Sequence, residues 1–350
     1  MRGMTSRLPI PILLSLLLAA SGLSALVYQV AWFRLFRQSF GASTAASAAV
    51  LAVFMAGLGV GAALLGRRVD RSDRPLSFYA LLEAGIAVTA ALSPWLLDLT
   101  QAGYVALGGT AVLGQAGGTV LRLALAALVL GLPTFLMGGT LPAAARAVES
   151  ASDLGRRGVA FLYGANTLGA VVGVVVATFV TLERLGIRNS ILAAAALNLL
   201  VAGIAWLMAR RRETASRPAV ERQVGATQSQ KGFAHRRAPL GLVLTASGLV
   251  GFVFLLMELV WYRILAPLLG GSSYTFGLVL AVAGVFGVLG RVVAERRREI
   301  AIRLALGADG RQVMRMVIAS VLLPVVLGCL AGLLGAQAAS ASLEALLFEI

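Results

Sequence analysis

The chain has 350 residues, 59% of them hydrophobic and only 13% charged, with a mean hydropathy of +0.89. A soluble chain carries about a quarter charged residues, so a water-soluble globular fold is excluded. A formal net charge of +15 would suggest nucleic acid for a soluble protein, but here it reflects arginines gathered in loops on one side of a membrane, and no nucleic-acid partner is expected.

The apolar residues come in uncharged blocks of about 20, the length that crosses a hydrocarbon core of ~30 Å. Backbone amides in lipid must be bonded within their own segment, which makes such blocks helices. A membrane β-barrel would alternate apolar and polar residues, and this chain does not. The expected fold is therefore all-α: a polytopic transmembrane helical bundle of about nine spans.

In chain order the spans fall near residues 9–33, 43–65, 75–97, 119–140, 158–182, 188–209, 239–265, 272–292 and 313–337. The first resembles a signal peptide, with Arg2 and Arg7 ahead of it and Ala-Ser-Gly within it. Its apolar run continues to Trp32, however, too far for such a segment, so it is read as a span. Pro133 and Pro142 interrupt the fourth span and predict a kink or a division into two pieces.

Orientation follows from the arginines. With the N-terminus in the cytoplasm, 24 of the 30 basic residues fall in inside segments. Arg34, Arg37, Arg122, Arg184, Arg188 and Arg263 fall outside them. That bias predicts a multi-pass inner-membrane protein with its N-terminus inside and, after nine spans, its C-terminus outside. Residues 210–238, rich in Arg, Gln, Ser and Thr, read as a basic, flexible cytoplasmic linker between two membrane blocks.

An internal repeat relates those blocks. Ser21-Gly22-Leu23, Gln29, Trp32-Phe33-Arg34, Gly41-Ala42-Ser43 and Val50-Leu51-Ala52-Val53 recur as Ser247-Gly248-Leu249, Glu258, Trp261-Tyr262-Arg263, Gly270-Gly271-Ser272 and Val279-Leu280-Ala281-Val282. Parallel repeats of this kind point to a transporter-like architecture. The expected organisation is an N-terminal block of about six spans (1–209), the linker (210–238), a second repeat block (239–282) and a C-terminal segment (283–350). The shared Trp-aromatic-Arg triplet reads most simply as an interfacial anchor, its aromatic rings at the headgroups and its arginine snorkelling to phosphate.

Polar side chains inside spans are the candidate site. Gln29, Glu83, Asn166 and Glu258 could line an intramembrane polar pocket with proton or cation coupling. The plainer reading, and the favoured one, is interhelical hydrogen bonding that fixes packing. The glycines Gly57, Gly59 and Gly61, and Gly169 with Gly173, give the small-residue spacing of close helix contacts.

No catalytic, cofactor or metal site is expected. Cys329 is the single cysteine and lies in an apolar run, whereas the single histidine, His235, lies in the linker. Lys231 is the only lysine, so no phosphate-binding loop can form, and no Gly-x-Gly-x-x-Gly joins a strand to a helix.

Two resemblances extend this reading. Residues from about 15 to 282 resemble the membrane part of bacterial fused spermidine-synthase-like proteins, which have a major-facilitator-like membrane region. The motifs that carry it, besides the repeat triplets, are Phe54-Met55-Ala56-Gly57-Leu58-Gly59, Phe135-Leu136-Met137-Gly138-Gly139-Thr140-Leu141-Pro142 and Tyr163-Gly164-Ala165-Asn166-Thr167-Leu168-Gly169-Ala170. In that family an aminopropyltransferase-like domain follows the membrane part. It has no counterpart here, which implies that the chain makes no polyamine by itself.

Residues from about 283 to 350 resemble the C-terminal part of FtsX-like permeases of ABC export systems, the MacB-like branch. Gly284-Val285-Phe286-Gly287-Val288-Leu289 and Arg298-Glu299-Ile300-Ala301-Ile302-Arg303-Leu304-Ala305-Leu306-Gly307-Ala308 carry this match. The resemblance implies a short cytoplasmic coupling helix that docks on an ATPase subunit, with Arg297, Arg298, Glu299, Ile300, Ile302, Arg303, Leu306 and Gly307 as its candidate contacts. The combined expectation is a non-catalytic bacterial inner-membrane protein of permease type, in contact with the lipid bilayer and an ABC ATPase. The alternative is the membrane module of a spermidine-synthase-like protein.

Overall fold

A computed structural model describes residues 10–40, 44–148, 157–215 and 273–295, with short pieces between residues 253 and 268. The chain forms α1 (Ile10–Phe40), α2 (Thr44–Asp70), α3 (Pro75–Ala106), α4 (Gly109–Val148), α5 (Arg157–Val176), α6 (Leu182–Arg184), α7 (Gly186–Ala215) and, later, α8 (Ser273–Glu295). Between α5 and α6 the helix widens to π geometry over Ala177–Thr181. Among the described residues, six helical stretches are long and apolar enough to cross a membrane: Pro11–Phe40, Val50–Asp70, Pro75–Ala106, Gly109–Val148, Gly158–Arg184 and Gly186–Arg212. They fall on the first six expected spans. The eighth, 272–292, is α8, whose shorter apolar stretch is Thr275–Gly287. Most of the seventh, 239–265, and all of the ninth, 313–337, lie outside the described residues.

Local chemistry explains where the helices start and turn. Pro75 begins α3, where its missing N–H costs nothing. The α3–α4 turn needs positive φ, supplied by Gly108 at 77° and Gly109 at 52°. Within the spans, hydroxyls bond back to their own helix, as Ser15 does to the Pro11 carbonyl and Thr134 to that of Leu130.

The fourth expected span, 119–140, is not divided into two pieces. α4 continues through both Pro133 and Pro142, and the non-helical backbone is at Gly114, with φ 68° and ψ 178°. Forty residues of helix would be about 60 Å long at 1.5 Å per residue, twice a bilayer core. Gly114 divides off the first turns, and only glycine adopts that φ without strain. At the other end of the block, α7 runs on through Ala215, so the opening residues of the expected linker, 210–215, are helical.

Contacts between helices set their directions. α2 and α4 run parallel: Gly57 abuts Thr134, Gly61 abuts the Phe135 carbonyl, and Gly138 abuts the backbone at Leu58 and Ala62. α1 and α5 also run parallel, with Gly169 against Ala19 and Gly173 against Leu23. At each of these glycines a Cβ would strike the partner's backbone or, at Gly57, the Thr134 side chain. The expected small-residue contacts therefore form, and they let the backbones approach closely. Gly59 faces open space on the bundle's outside and takes no part.

α8 runs antiparallel to α5. Gly277 sits on Thr178 and Gly284 on Val171. The outer faces of the helices are apolar, as along α3, where Leu81, Val88, Leu92, Trp95 and Leu99 are all more than half exposed. Such a belt is stable against lipid and costly against water.

Candidate functional site

The buried polar groups converge on α1, α3 and α7. Glu83, on α3, is fully buried, and so are Asn198 on α7 and Tyr79 one turn before it. The Asn198 side-chain Nδ2 donates to Glu83 Oε2 at 2.9 Å. The hydroxyls of Tyr79 and of Ser21 on α1 flank the same carboxyl group, and the Tyr28 phenol is close enough to feel its charge. Glu83 Oε1 and Asn198 Oδ1, the remaining acceptors of the bonded pair, are buried without hydrogen-bond partners among the described residues. Nor does any arginine act on the carboxyl among the described residues.

α1 presents its polar residues to α3 at helical spacing. Ser21, Ser24, Tyr28 and Trp32 follow one another at three- and four-residue intervals and so share one face. Trp32 is fully buried, stacks on Tyr28 with ring centroids 5.3 Å apart, and donates its Nε1–H to Ser93 Oγ at 2.7 Å. Ser93 in turn donates to the Ala90 carbonyl at 2.6 Å. Pro94 has no N–H with which to bond that carbonyl, so the serine replaces the missing donor. Ser21 lies beside Glu83 and Trp32 beside Ser93, which makes α1 and α3 parallel.

The reading of Trp32 as a headgroup anchor is therefore overturned. Its indole is consumed inside the bundle, because a tryptophan N–H in an apolar interior needs an acceptor and Ser93 provides one.

Of the four residues expected to form a pocket, Glu83 and Gln29 are buried and Asn166 is half-buried. Asn166 lies on the α1–α5 seam, its carbonyl against Gly22. No hydrogen bond joins Glu83 to Gln29 or Asn166, and the Gln29 amide nitrogen is buried without a partner. Glu258 lies outside the described residues. The partner that sequence reasoning missed is Asn198. Its signal was present: it is the one polar residue in the apolar run 191–208.

At the end of the bundle where α3 finishes and α7 begins, Asp98 and Arg188 form an ion pair at 2.5 Å. They line an open cleft of about 620 Å³ with Gln38, Ser39, Gln101 and Asn189. Because Asn198 meets Glu83 and Arg188 meets Asp98, α7 runs antiparallel to α3.

Tyr262 and α8 dock on the same end of α1. Phe33 stacks on Phe276 of α8 at 3.8 Å and 9°, and Tyr262 packs edge-on to both rings. Arg37 donates to the Tyr262 hydroxyl and lies over the Phe33 and Tyr262 rings at 5.5 and 5.6 Å. A part-buried cation on aromatic faces contributes about 0.5–2 kcal/mol. The candidate coupling residues Arg297, Arg298, Glu299, Ile300, Ile302, Arg303, Leu306 and Gly307 lie outside the described residues.

Residues 271–350 match the family model described as FtsX-like permease C-terminal. The match begins upstream of residue 283 and takes in the whole of α8. This FtsX-like segment thus includes Phe276, Gly277 and Gly284, the residues that seat α8 on α1 and α5. Proteins of that family are typically non-catalytic transmembrane subunits. No curated protein and no solved structure matches the chain, and no comparison supports the resemblance of residues 15–282 to spermidine-synthase-like membrane regions.

Proposed function

We propose that this chain is a non-catalytic permease subunit of the bacterial inner membrane that couples to an ABC ATPase through residues 295–312. The observation that carries the reading is the FtsX-like match over 271–350, joined to the direction of α8. Antiparallel to α5, α8 ends at Glu295 on the side where α5 begins, which is also the side of the Arg67, Arg68, Arg71 and Arg74 turn. An arginine-rich turn belongs in the cytoplasm, where an ATPase would be met.

The string that follows, Arg297-Arg298-Glu299-Ile300-Ala301-Ile302-Arg303, sets charges beside apolar residues, as a helix lying on a protein surface requires. The repeat also supports two related blocks. Phe33 and Tyr262 occupy equivalent positions in the two copies and pack against one another, as residues near a local symmetry axis do.

The test is copurification. The full chain, tagged and extracted in mild detergent from its native host, should bring down an ABC ATPase subunit. Arg298→Glu or Arg303→Glu should reduce that recovery at least tenfold while the chain stays in the membrane. Absence of any ATPase, or equal recovery with both charge reversals, would overturn the proposal.

A further inference from the structure

We infer that Glu83 is a reversible proton-binding site inside the membrane bundle, with Asn198 as the partner of its neutral form. The inference is independent of ATPase docking.

The two side chains are complementary in only one protonation state. Asn198 Nδ2 already donates to Glu83 Oε2 at 2.9 Å. The atoms left over, Glu83 Oε1 and Asn198 Oδ1, are both acceptors when the carboxyl is ionised, and among the described residues both are buried without a partner. A proton on Oε1 converts one of them to a donor. The acid and the amide can then exchange two hydrogen bonds, and both orphaned atoms are satisfied.

The surroundings agree. Glu83 is fully buried, and an ionised carboxylate at such depth requires a cation or several donors. The groups that face it are the Tyr28 phenol and Ser21 hydroxyl from α1, Tyr79 from its own helix and the neutral Asn198 from α7. None is cationic. Yet the carboxyl is not confined to the neutral form, because the Tyr79 and Ser21 hydroxyls flank it and are donors that favour the ionised carboxylate. The site therefore has donors for the charged state and an acceptor for the neutral one. Binding forms one O–H bond with a proton taken from water, and release returns it. A residue kept only for packing would need one of those arrangements.

Infrared difference spectroscopy on the full chain in lipid nanodiscs, recorded across pH, tests this with the proton itself as probe. A carboxylic-acid carbonyl band should appear as pH is lowered, vanish as it is raised, and be lost in Glu83→Gln. The glutamine can keep an amide pair with Asn198, and gel filtration would confirm its fold. Asn198→Leu should shift the same band to higher frequency, because an acid carbonyl that loses a hydrogen bond stiffens. Should Glu83→Gln fail to fold, side-chain 13C-labelled glutamate identifies the band in the parent chain, and its shift in Asn198→Leu assigns it to Glu83. A titrating band absent from parent spectra at every pH, or an acid band that never disappears, would overturn the site. A band unmoved by Asn198→Leu would overturn the pairing.

Discussion

Single residues in this bundle divide by what faces them. Gly57, Gly59 and Gly61 look alike in the sequence, yet Gly61 abuts the Phe135 carbonyl and Gly59 faces open space. Substitution should separate them. Gly61→Ala should destabilise the bundle by about 1–3 kcal/mol, the usual cost of forcing atoms into a packed contact. Gly59→Ala should be neutral or stabilising by up to about 1 kcal/mol, since alanine is the better helix former. Reversible unfolding in mixed detergent micelles measures both. Equal effects would mean that α2 does not meet α4 through this face. The polar residues divide in the same way. Glu83 was legible as an expensive group in a span, but its partner was not, because Asn198 lies 115 positions away and only the antiparallel crossing of α3 and α7 joins them.

Among the helices, the most informative joint is the one between α1 and the FtsX-like segment. Phe33 and Phe276 stack at 3.8 Å, and such pairs contribute about 0.5–1.5 kcal/mol beyond the area they bury. A double-mutant cycle with Phe33→Leu and Phe276→Leu should return a coupling in that range, read from detergent unfolding. Additive effects would mean that the segment packs elsewhere. Three arginines show what helix-end chemistry accomplishes. Arg188 pairs with Asp98, Arg122 bonds the Tyr104 hydroxyl at 3.0 Å, and Arg37 is held by Tyr262. These are three of the six basic residues that the charge bias left outside the cytoplasmic segments, and each has a partner at its own end of the bundle. The half-exposed Arg188–Asp98 pair is worth about 1 kcal/mol at most.

For the whole molecule, the testable quantity is sidedness. The turn after α2 and the turn before α7 lie at opposite ends of the bundle. In a Cys329→Ala background, Ser72→Cys should resist a membrane-impermeant maleimide added to spheroplasts, and Asn189→Cys should react. The reverse labelling would invert the orientation and remove the basis for an ATPase at residues 295–312.

Length and pattern by themselves determined that the chain is helical, that it crosses a membrane several times and where its first six spans lie, because hydrocarbon leaves a backbone no other way to satisfy its hydrogen bonds. The string after residue 283 was likewise legible, and the family match over 271–350 bears it out. Only the tertiary structure decided which intramembrane groups meet. Trp32 went to Ser93 and not to the headgroups, Gly114 and not a proline broke α4, and Asn198 found Glu83. Such pairings depend on the rotation and crossing of helices far apart in the chain, which are set by where small residues let backbones approach, and hydropathy carries no record of that.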